Sequence, residues 1–151
     1  MAEKPEHIQA AVRFVSKHNV RLAIKNTGHC FLGRSTAPES LQIATTKLKS
    51  IKFVDDFKLT GKKGCAGPSR GSAVTIGAGV QLAELYKAAA GNNKTVIVGL
   101  SHTVGAAGGY IQGGGHSPLG PWKGMGSDNA LEFTVVNAKV RQHSQNQSKV
   151  Y

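Results

Sequence analysis

The sequence has no long hydrophobic run and few cysteines. Its 151 residues are 40% apolar, but no stretch approaches the roughly 18 consecutive apolar residues of a membrane-spanning helix, so we expect no membrane partner. Two cysteines, Cys30 and Cys65, are too few for a four-cysteine metal site or a disulfide framework, and could at most close one loop. The histidines are scattered without spaced carboxylates, so no metal is expected. The charged N-terminus lacks the apolar core of a signal peptide, and localisation stays unknown.

Acidic residues are also scarce: eight stand against 19 lysines and arginines, giving a net charge of +11. Such a charge attracts polyanions, whether nucleic acid, an anionic surface or a phosphorylated cofactor. The middle of the chain is rich in lysine, at Lys47, Lys49, Lys52, Lys58, Lys62 and Lys63. No aromatic residues alternate with these lysines as a base-stacking platform would need, which favours a solvated face and makes nucleic acid an unlikely partner.

Hydrophobic periodicity predicts a mixed order of helices and strands. Helices are predicted over 5–18, with Ile8, Ala11, Val12 and Val15 on one face, and over 80–91, with Leu82, Leu85, Tyr86 and Ala89 on one face. Strands are predicted within 20–25, where Val20, Leu22 and Ile24 alternate, within 41–48, 51–59, 73–79 and 94–99, and within 130–138, where Leu131, Phe133 and Val135 alternate. A basic turn region at 60–73 is interpreted as a boundary between two lobes. The polar stretch 139–151 has no period and is expected to fray.

Two glycine-containing segments are candidates for binding a nucleotide. The sequence GAGVQL at 77–82 follows a predicted strand and opens a helix, as the dinucleotide fingerprint does. However, Leu82 replaces the third glycine of that fingerprint, and no acidic residue stands about 20 positions later. A tight turn is therefore favoured over a dinucleotide site. The glycine-dense segment 99–120 is either a flexible linker or a nest of backbone N–H groups for a pyrophosphate. Its position between two core strands favours the nest, with Gly105, Gly108 and Gly109 as the best candidates.

A third candidate is the loop at 26–35, which reads NTGHCFLGRS. A lone loop histidine such as His29 is most often an exposed polar residue. A catalytic pair with Cys30 is conceivable, but adjacent residues of an extended loop point in different directions and no third group is evident to orient them.

Taken together, these segments resemble a known family. The stretch RLAIKNTGHCFLGRS resembles the first flavin loop of the FAD-linked oxidases of the vanillyl-alcohol oxidase superfamily, in its berberine-bridge-enzyme-like branch. The segments GLSHTVGAAGGYIQGGGHSPLG and GMGSDNALEFTVVNA are similar to the second loop and closing strand of the same domain. The resemblance covers about Pro5 to Ala138.

The resemblance implies an α+β fold: a two-lobed FAD-binding domain of the p-cresol methylhydroxylase type, apparently truncated at both ends, with the cofactor in the crevice between the lobes. The lobes would be 1–66 and 67–138, followed by a divergent tail at 139–151. By this resemblance, we expect the given sequence to lack the first strand and the substrate domain of the relatives.

The resemblance also implies the site. His29 matches the histidine that bonds covalently to a methyl carbon of the flavin. Ser101 stands where some members carry a second, cysteinyl tether, so one tether is expected, and Val104 matches a small residue associated with access of oxygen to the flavin. The expected cofactor-binding residues are Asn26, Thr27, Gly28, His29, Gly33, Ser35, Ser101, His102, Val104, Gly105, Gly108, Gly109, Gly115 and His116.

The implied function is that of the FAD-binding portion of an oxidase, which passes a substrate hydride to covalently bound FAD and then to dioxygen, giving hydrogen peroxide. Substrates of complete relatives are alcohols, sugars, amines or alkaloids, and those relatives are often secreted. No catalytic residue is identified, since the base is expected in the substrate domain. The alternatives are a non-catalytic flavin- or polyanion-binding module and an unstable fragment.

Overall fold

The computed structural model describes residues 1–60, 66–140 and 142–146. The chain opens with helix α1 (Pro5–His18), as predicted. Pro5 lies in the first turn, where its missing N–H costs no hydrogen bond, and Asn19 ends the helix in the left-handed conformation. Val12 and Val15 are buried. Val12 packs with Ala2 and Ile43, which fixes α1 on the first pair of strands.

Strands β1 (Arg21–Lys25) and β2 (Ser40–Ala44) pair in parallel, with Leu22 opposite Leu41. The prediction that Val20, Leu22 and Ile24 form the buried face is wrong: Ala23 is 4% exposed and Ile24 is 58% exposed. Leu22 packs against the cluster under α1, but the sheet of two short strands extends beyond this cover and leaves Ile24 in solvent.

The middle of the chain forms two nested antiparallel pairs. Strand β3 (Ile51–Val54) pairs with β6 (Ala73–Ile76), and β4 (Lys58–Thr60) pairs with β5 (Ala66–Ser69). The predicted strand at 51–59 is therefore two strands, and the predicted turn region contains β5. Cys65, Lys62 and Lys63 lie outside the described residues, and Cys30 is a free thiol. The hairpin of β4 and β5 spans the proposed boundary after residue 66, and the division into lobes stays a prediction.

Helix α2 (Leu82–Gly91) carries the main core, as its periodicity predicts. Leu82, Leu85 and Ala89 are buried, and the cluster also includes Val80 and Val98. Before the helix, Gly77 and Gly79 pass so close to the backbone at residues 45–50 that a Cβ on either glycine would meet a carbonyl oxygen. The favoured interpretation of 77–82 as a turn that needs small residues is confirmed.

The strand predicted at 94–99 is not formed, because within the described residues this segment has no neighbouring strand to accept its backbone hydrogen bonds. Val98 is nevertheless buried, at 5% exposure. The glycine-dense segment contains the short helix α3 (Gly109–Gln112). A second short helix, α4 (Gly120–Lys123), begins at the last residue of the segment, and a 3-10 turn follows at Ser127–Asn129.

The chain then forms β7 (Glu132–Val136) and β8 (Gln142–Asn146), which pair in antiparallel register. The expectation that 139–151 frays is wrong for Gln142–Asn146, because an edge strand needs only backbone bonds to its neighbour and no apolar period; residues 141 and 147–151 lie outside the described range. Val135 is 41% exposed rather than buried. Over the described residues, no helix has the length and apolarity needed to cross a bilayer.

Candidate FAD site

The loop that follows β1 packs directly on the glycine-dense segment. The Asn26 amide Nδ2 donates to the carbonyl oxygens of Ala78, at 2.5 Å, and Ala107, at 2.9 Å. The Gly105 N–H donates to the Thr27 hydroxyl at 3.2 Å. Nε2 of His29 lies 2.8 Å from the hydroxyl oxygen of Thr103. Three hydrogen bonds therefore join two loops that are more than 70 residues apart in the chain.

Glycine is required where the two loops touch. A Cβ on Gly105 would collide with the Asn26 amide, so only glycine allows this approach. Gly28 and Gly108 have φ values of +89° and +90°, a conformation that other L residues rarely adopt. The glycines of both loops thus allow the two loops to pack closely against each other.

Segment 102–106 is held from behind by the start of α2. The N–H groups of Leu82 and Ala83 donate to the carbonyls of Val104, at 2.9 Å, and His102, at 3.1 Å. These first-turn donors are therefore used within the protein, which is a second reason why 77–82 does not bind a phosphate as a dinucleotide fingerprint does.

Fewer glycines of the predicted nest have a free N–H group than expected. The Gly105 N–H is already bonded to Thr27. Within the described residues the N–H groups of Gly108 and Gly109 have no protein acceptor, so these two remain the candidates for a pyrophosphate.

Of the remaining predicted site residues, Ser101 is joined to this contact, because its carbonyl accepts from the Val104 N–H at 3.2 Å. Within the described residues, no hydrogen bond joins the others to 26–29 or 103–107: Gly33, Ser35, His102, Gly115 and His116. Gly33 and Ser35 form the far turn of the first loop, where the Ser35 carbonyl accepts from Gln42 at 2.9 Å. Gly115 is buried beneath Tyr110, whose hydroxyl donates to the His116 carbonyl at 3.0 Å. The side chains of Ser101, His102 and His116 are exposed.

Val104 and Cys30 have local environments that bear on their predicted roles. Val104 packs against the core cluster of Val80 and Leu82, and its role in oxygen access stays a prediction. The Arg34 Nε–H donates to the Cys30 sulfur at 3.2 Å, and this bond lowers the pKa of the Cys30 thiol to about 7. The Cys30 sulfur contacts Arg34, and the His29 ring contacts Thr103. The structure therefore gives no hydrogen-bonded pair of Cys30 and His29.

Sequence reasoning missed Thr103 and the backbone at Ala78. Thr103 lies within the segment SHTVG, in which only its neighbours were assigned roles, and no spacing rule links it to His29. The Ala78 carbonyl carries no side-chain signal at all.

A cavity of about 1060 Å³ is lined in part by Ala78 and Ala107, the two residues whose carbonyls accept from Asn26. Apolar side chains of β3, β6, β7 and segment 94–98 line much of it, including Phe53, Val74, Ile97 and Phe133. None of the predicted cofactor residues lines it. Among the described residues, no three His, Cys, Asp or Glu side chains come together as a metal site requires.

Comparison with known proteins decides the family. The family described as FAD binding domain matches residues 1–143. The chain belongs to this FAD-binding domain family. The resemblance to VAO-type flavoproteins is confirmed: a VAO-type flavoprotein from Myceliophthora thermophila C1 superposes with a TM-score of 0.87 at 40% identity, covering 96% of this chain and 25% of that one.

Two relatives that contain a similar domain are named as flavin-dependent enzymes. An uncharacterized FAD-linked oxidoreductase from Arthroderma benhamiae is 62% identical over 141 residues, which are 93% of this chain and 24% of that protein. A flavin-dependent oxygenase from Aspergillus ustus is 51% identical over 138 residues, 91% of this chain and 24% of that protein. The chain thus spans about a quarter of the length of these relatives.

The residues of the domain fit its cofactor, FAD. The Asn26 carbonyl oxygen Oδ1 is buried without a hydrogen-bond partner in the described structure. The N–H groups at 108–109, which have no protein acceptor among the described residues, suit an anion. The His29 ring is exposed and contacts Thr103 of the glycine-dense segment. FAD would be held by these backbone donors and by the loop at 26–29.

Proposed function

We propose that this chain is the FAD-holding part of a flavoprotein oxidase in which His29 carries the cofactor covalently. The observation that carries the proposal is the triple contact between the loops at 26–29 and 103–107. It holds the loop that carries the exposed His29 against the glycine-dense segment that contains Gly108 and Gly109. When bound, FAD supplies two-electron chemistry: it accepts a hydride from substrate and passes the electrons to dioxygen, giving hydrogen peroxide.

The individual residues would act by holding and orienting. The N–H groups of Gly108 and Gly109 would donate to the pyrophosphate, and the loop at 26–28 would keep the second loop in place. His29 would exchange its ring N–H and a methyl C–H of the flavin for one C–N bond, while dioxygen takes up the two hydrogens as hydrogen peroxide. Such a bond benefits from a preorganised nucleophile within contact distance.

The substrate would be an alcohol, sugar, amine or alkaloid, and the catalytic base would lie in the part of the relatives that this chain does not span. The alignment of Val104 with the oxygen-access position supports an oxidase over a dehydrogenase. Ser101 in place of a cysteine supports a single tether.

The test is incubation of the purified chain with FAD, followed by denaturing gel electrophoresis in acid with detection of flavin fluorescence. We expect fluorescence on the wild-type band and none on His29→Ala. His18→Ala, which removes an exposed histidine from the last turn of α1, outside the predicted site, is the matched control and should retain the flavin. Flavin lost from the wild type on denaturation, or equally retained by His29→Ala, would refute the tether.

Oxidase chemistry requires a separate test in a polypeptide that includes the rest of the relatives' length. Addition of a substrate of the expected classes should consume dioxygen and release hydrogen peroxide in equal amounts, measured with an oxygen electrode and a peroxidase-coupled dye. Turnover with an artificial acceptor but not with dioxygen would assign a dehydrogenase instead.

A further inference from the structure

The contact between His29 and Thr103 leaves the two nitrogens of the imidazole in different states. Nε2 lies 2.8 Å from the Thr103 hydroxyl, and both side chains are exposed. Within the described residues this is the one hydrogen bond that either side chain makes, and Nδ1 has no partner. The Thr103 hydroxyl thus covers one nitrogen and leaves the other open to approach.

The partner of one ring nitrogen determines which tautomer a neutral histidine adopts. A neutral imidazole carries a proton on one nitrogen and a lone pair on the other. If the Nε2–H donates to the Thr103 oxygen, the lone pair lies on Nδ1. Only a nitrogen that has a lone pair and is sterically open can form a bond to carbon.

We propose that Thr103 is a positioning residue that holds His29 as the Nε2–H tautomer, so that Nδ1 is the atom that bonds to the flavin methyl carbon. This inference rests on the proposed tether at His29. A hydroxyl suits the role because it both accepts and donates. Before the tether forms, the Thr103 hydroxyl accepts a hydrogen bond from Nε2–H. After Nδ1 has bonded to the flavin and the Nε2 proton has left to water, the same hydroxyl donates to Nε2. The contact between Thr103 and His29 therefore persists.

The first test needs no cofactor. Long-range proton–nitrogen correlation spectra of the 15N-labelled chain, at an alkaline pH where imidazoles are neutral, report which ring nitrogen carries the proton, and His29→Ala assigns the signal among the six histidines. We expect Nε2–H in the wild type and in Thr103→Ser, and a mixture of tautomers in Thr103→Val. Thr75→Val, at an exposed position of β6, should leave the His29 signal unchanged.

The second test measures the tether itself. Covalent flavin incorporation should slow on the order of fivefold in Thr103→Val, as for the loss of one hydrogen bond, and stay within about twofold in Thr103→Ser. NMR of the isolated flavin peptide should locate the bond at Nδ1. A bond at Nε2, an Nδ1–H tautomer in the wild type, or a His29 signal unaffected in Thr103→Val would overturn the inference. An Nε2–H tautomer that depends on Thr103, without any covalent flavin, would instead refute the proposed tether and leave the positioning role intact.

Discussion

Asn26 connects three segments through a single amide group. Both Nδ2 hydrogens are used, one by Ala78 O and one by Ala107 O. We predict that Asn26→Asp, which keeps the shape but replaces the donors by a carboxylate facing two carbonyl oxygens, lowers the free energy of unfolding by about 2–4 kcal/mol. Urea denaturation followed by circular dichroism measures the change.

Asn92→Asp is the matched control for that substitution. Asn92 Nδ2 makes one exposed bond, to the Ala88 carbonyl at 2.8 Å, and its loss should cost less than about 1 kcal/mol. Equal effects of the two substitutions would show that Asn26 does not connect the loops energetically.

The thiol beside His29 should react near neutral pH. Because the Arg34 Nε–H bond lowers the pKa of Cys30 to about 7, the thiolate is present above that pH and is lost below it. In a Cys65→Ser background, we expect the rate of alkylation by iodoacetamide to reach half its maximum near pH 7. Arg34→Ala should move this midpoint upward toward the ordinary thiol value of about 8.5. A midpoint that does not move would mean that another group sets the pKa.

At the residue scale, sequence reasoning could find the residues whose types are unusual in their position. His29 and the glycines of both loops stand out in this way, and Asn26 and Thr27 follow from the family's first loop. Thr103 was missed because its role depends on one contact across 74 residues of chain, and threonine is common in loops of every kind.

Among the elements, the turn that precedes α2 depends most strictly on glycine. A Cβ at Gly79 would meet the backbone at Thr45 and Thr46, which cannot rotate away. We predict that Gly79→Ala lowers the free energy of unfolding by about 3 kcal/mol, as overpacking against backbone does. At Gly91, the last residue of α2, a Cβ meets nothing within 4 Å, so Gly91→Ala should be neutral or stabilising by up to about 1 kcal/mol. Thermal denaturation of both variants checks the pair, and a neutral Gly79→Ala would contradict the close approach.

Hydrophobic periodicity predicted the helices that bury one complete face. It failed for segments whose structure depends on whether a neighbouring strand pairs with them. Helices α1 and α2 are recognisable because their buried residues recur along one helical stripe. Segment 94–98 has the composition of a buried strand but no neighbour among the described residues to pair with. Strand β8 is the reverse case: it is polar, yet β7 supplies its backbone bonds. Hydropathy records burial, and it does not record which backbone groups have partners.

For the whole molecule, the excess of positive charge is partly compensated locally. In the part of the chain that the structure describes, four lysines pair with carboxylates at 2.6–3.3 Å: Lys47 with Glu3, Lys49 with Glu84, Lys58 with Asp56 and Lys94 with Asp55. These pairs are exposed and each adds little to stability. The paired lysines lie in separate segments of the chain and are at least 36% exposed, although Lys47, Lys49 and Lys94 also line the cavity of about 1060 Å³.

This distribution predicts different salt dependences for FAD and for nucleic acid. Non-covalent FAD, measured with His29→Ala so that no tether forms, should bind with an affinity that falls less than about fivefold between low and physiological salt. In the proposed site, neutral backbone donors at 108–109 would hold the pyrophosphate, and the lysines would act only over distances that salt screens. A DNA duplex would contact the scattered lysines through its phosphates, and its affinity should fall more than about a hundredfold over the same range. Fluorescence titrations at several salt concentrations measure both slopes. If instead DNA binds tightly at physiological salt while FAD does not bind, the charge of +11 would be the recognition element and the chain would be a polyanion-binding module.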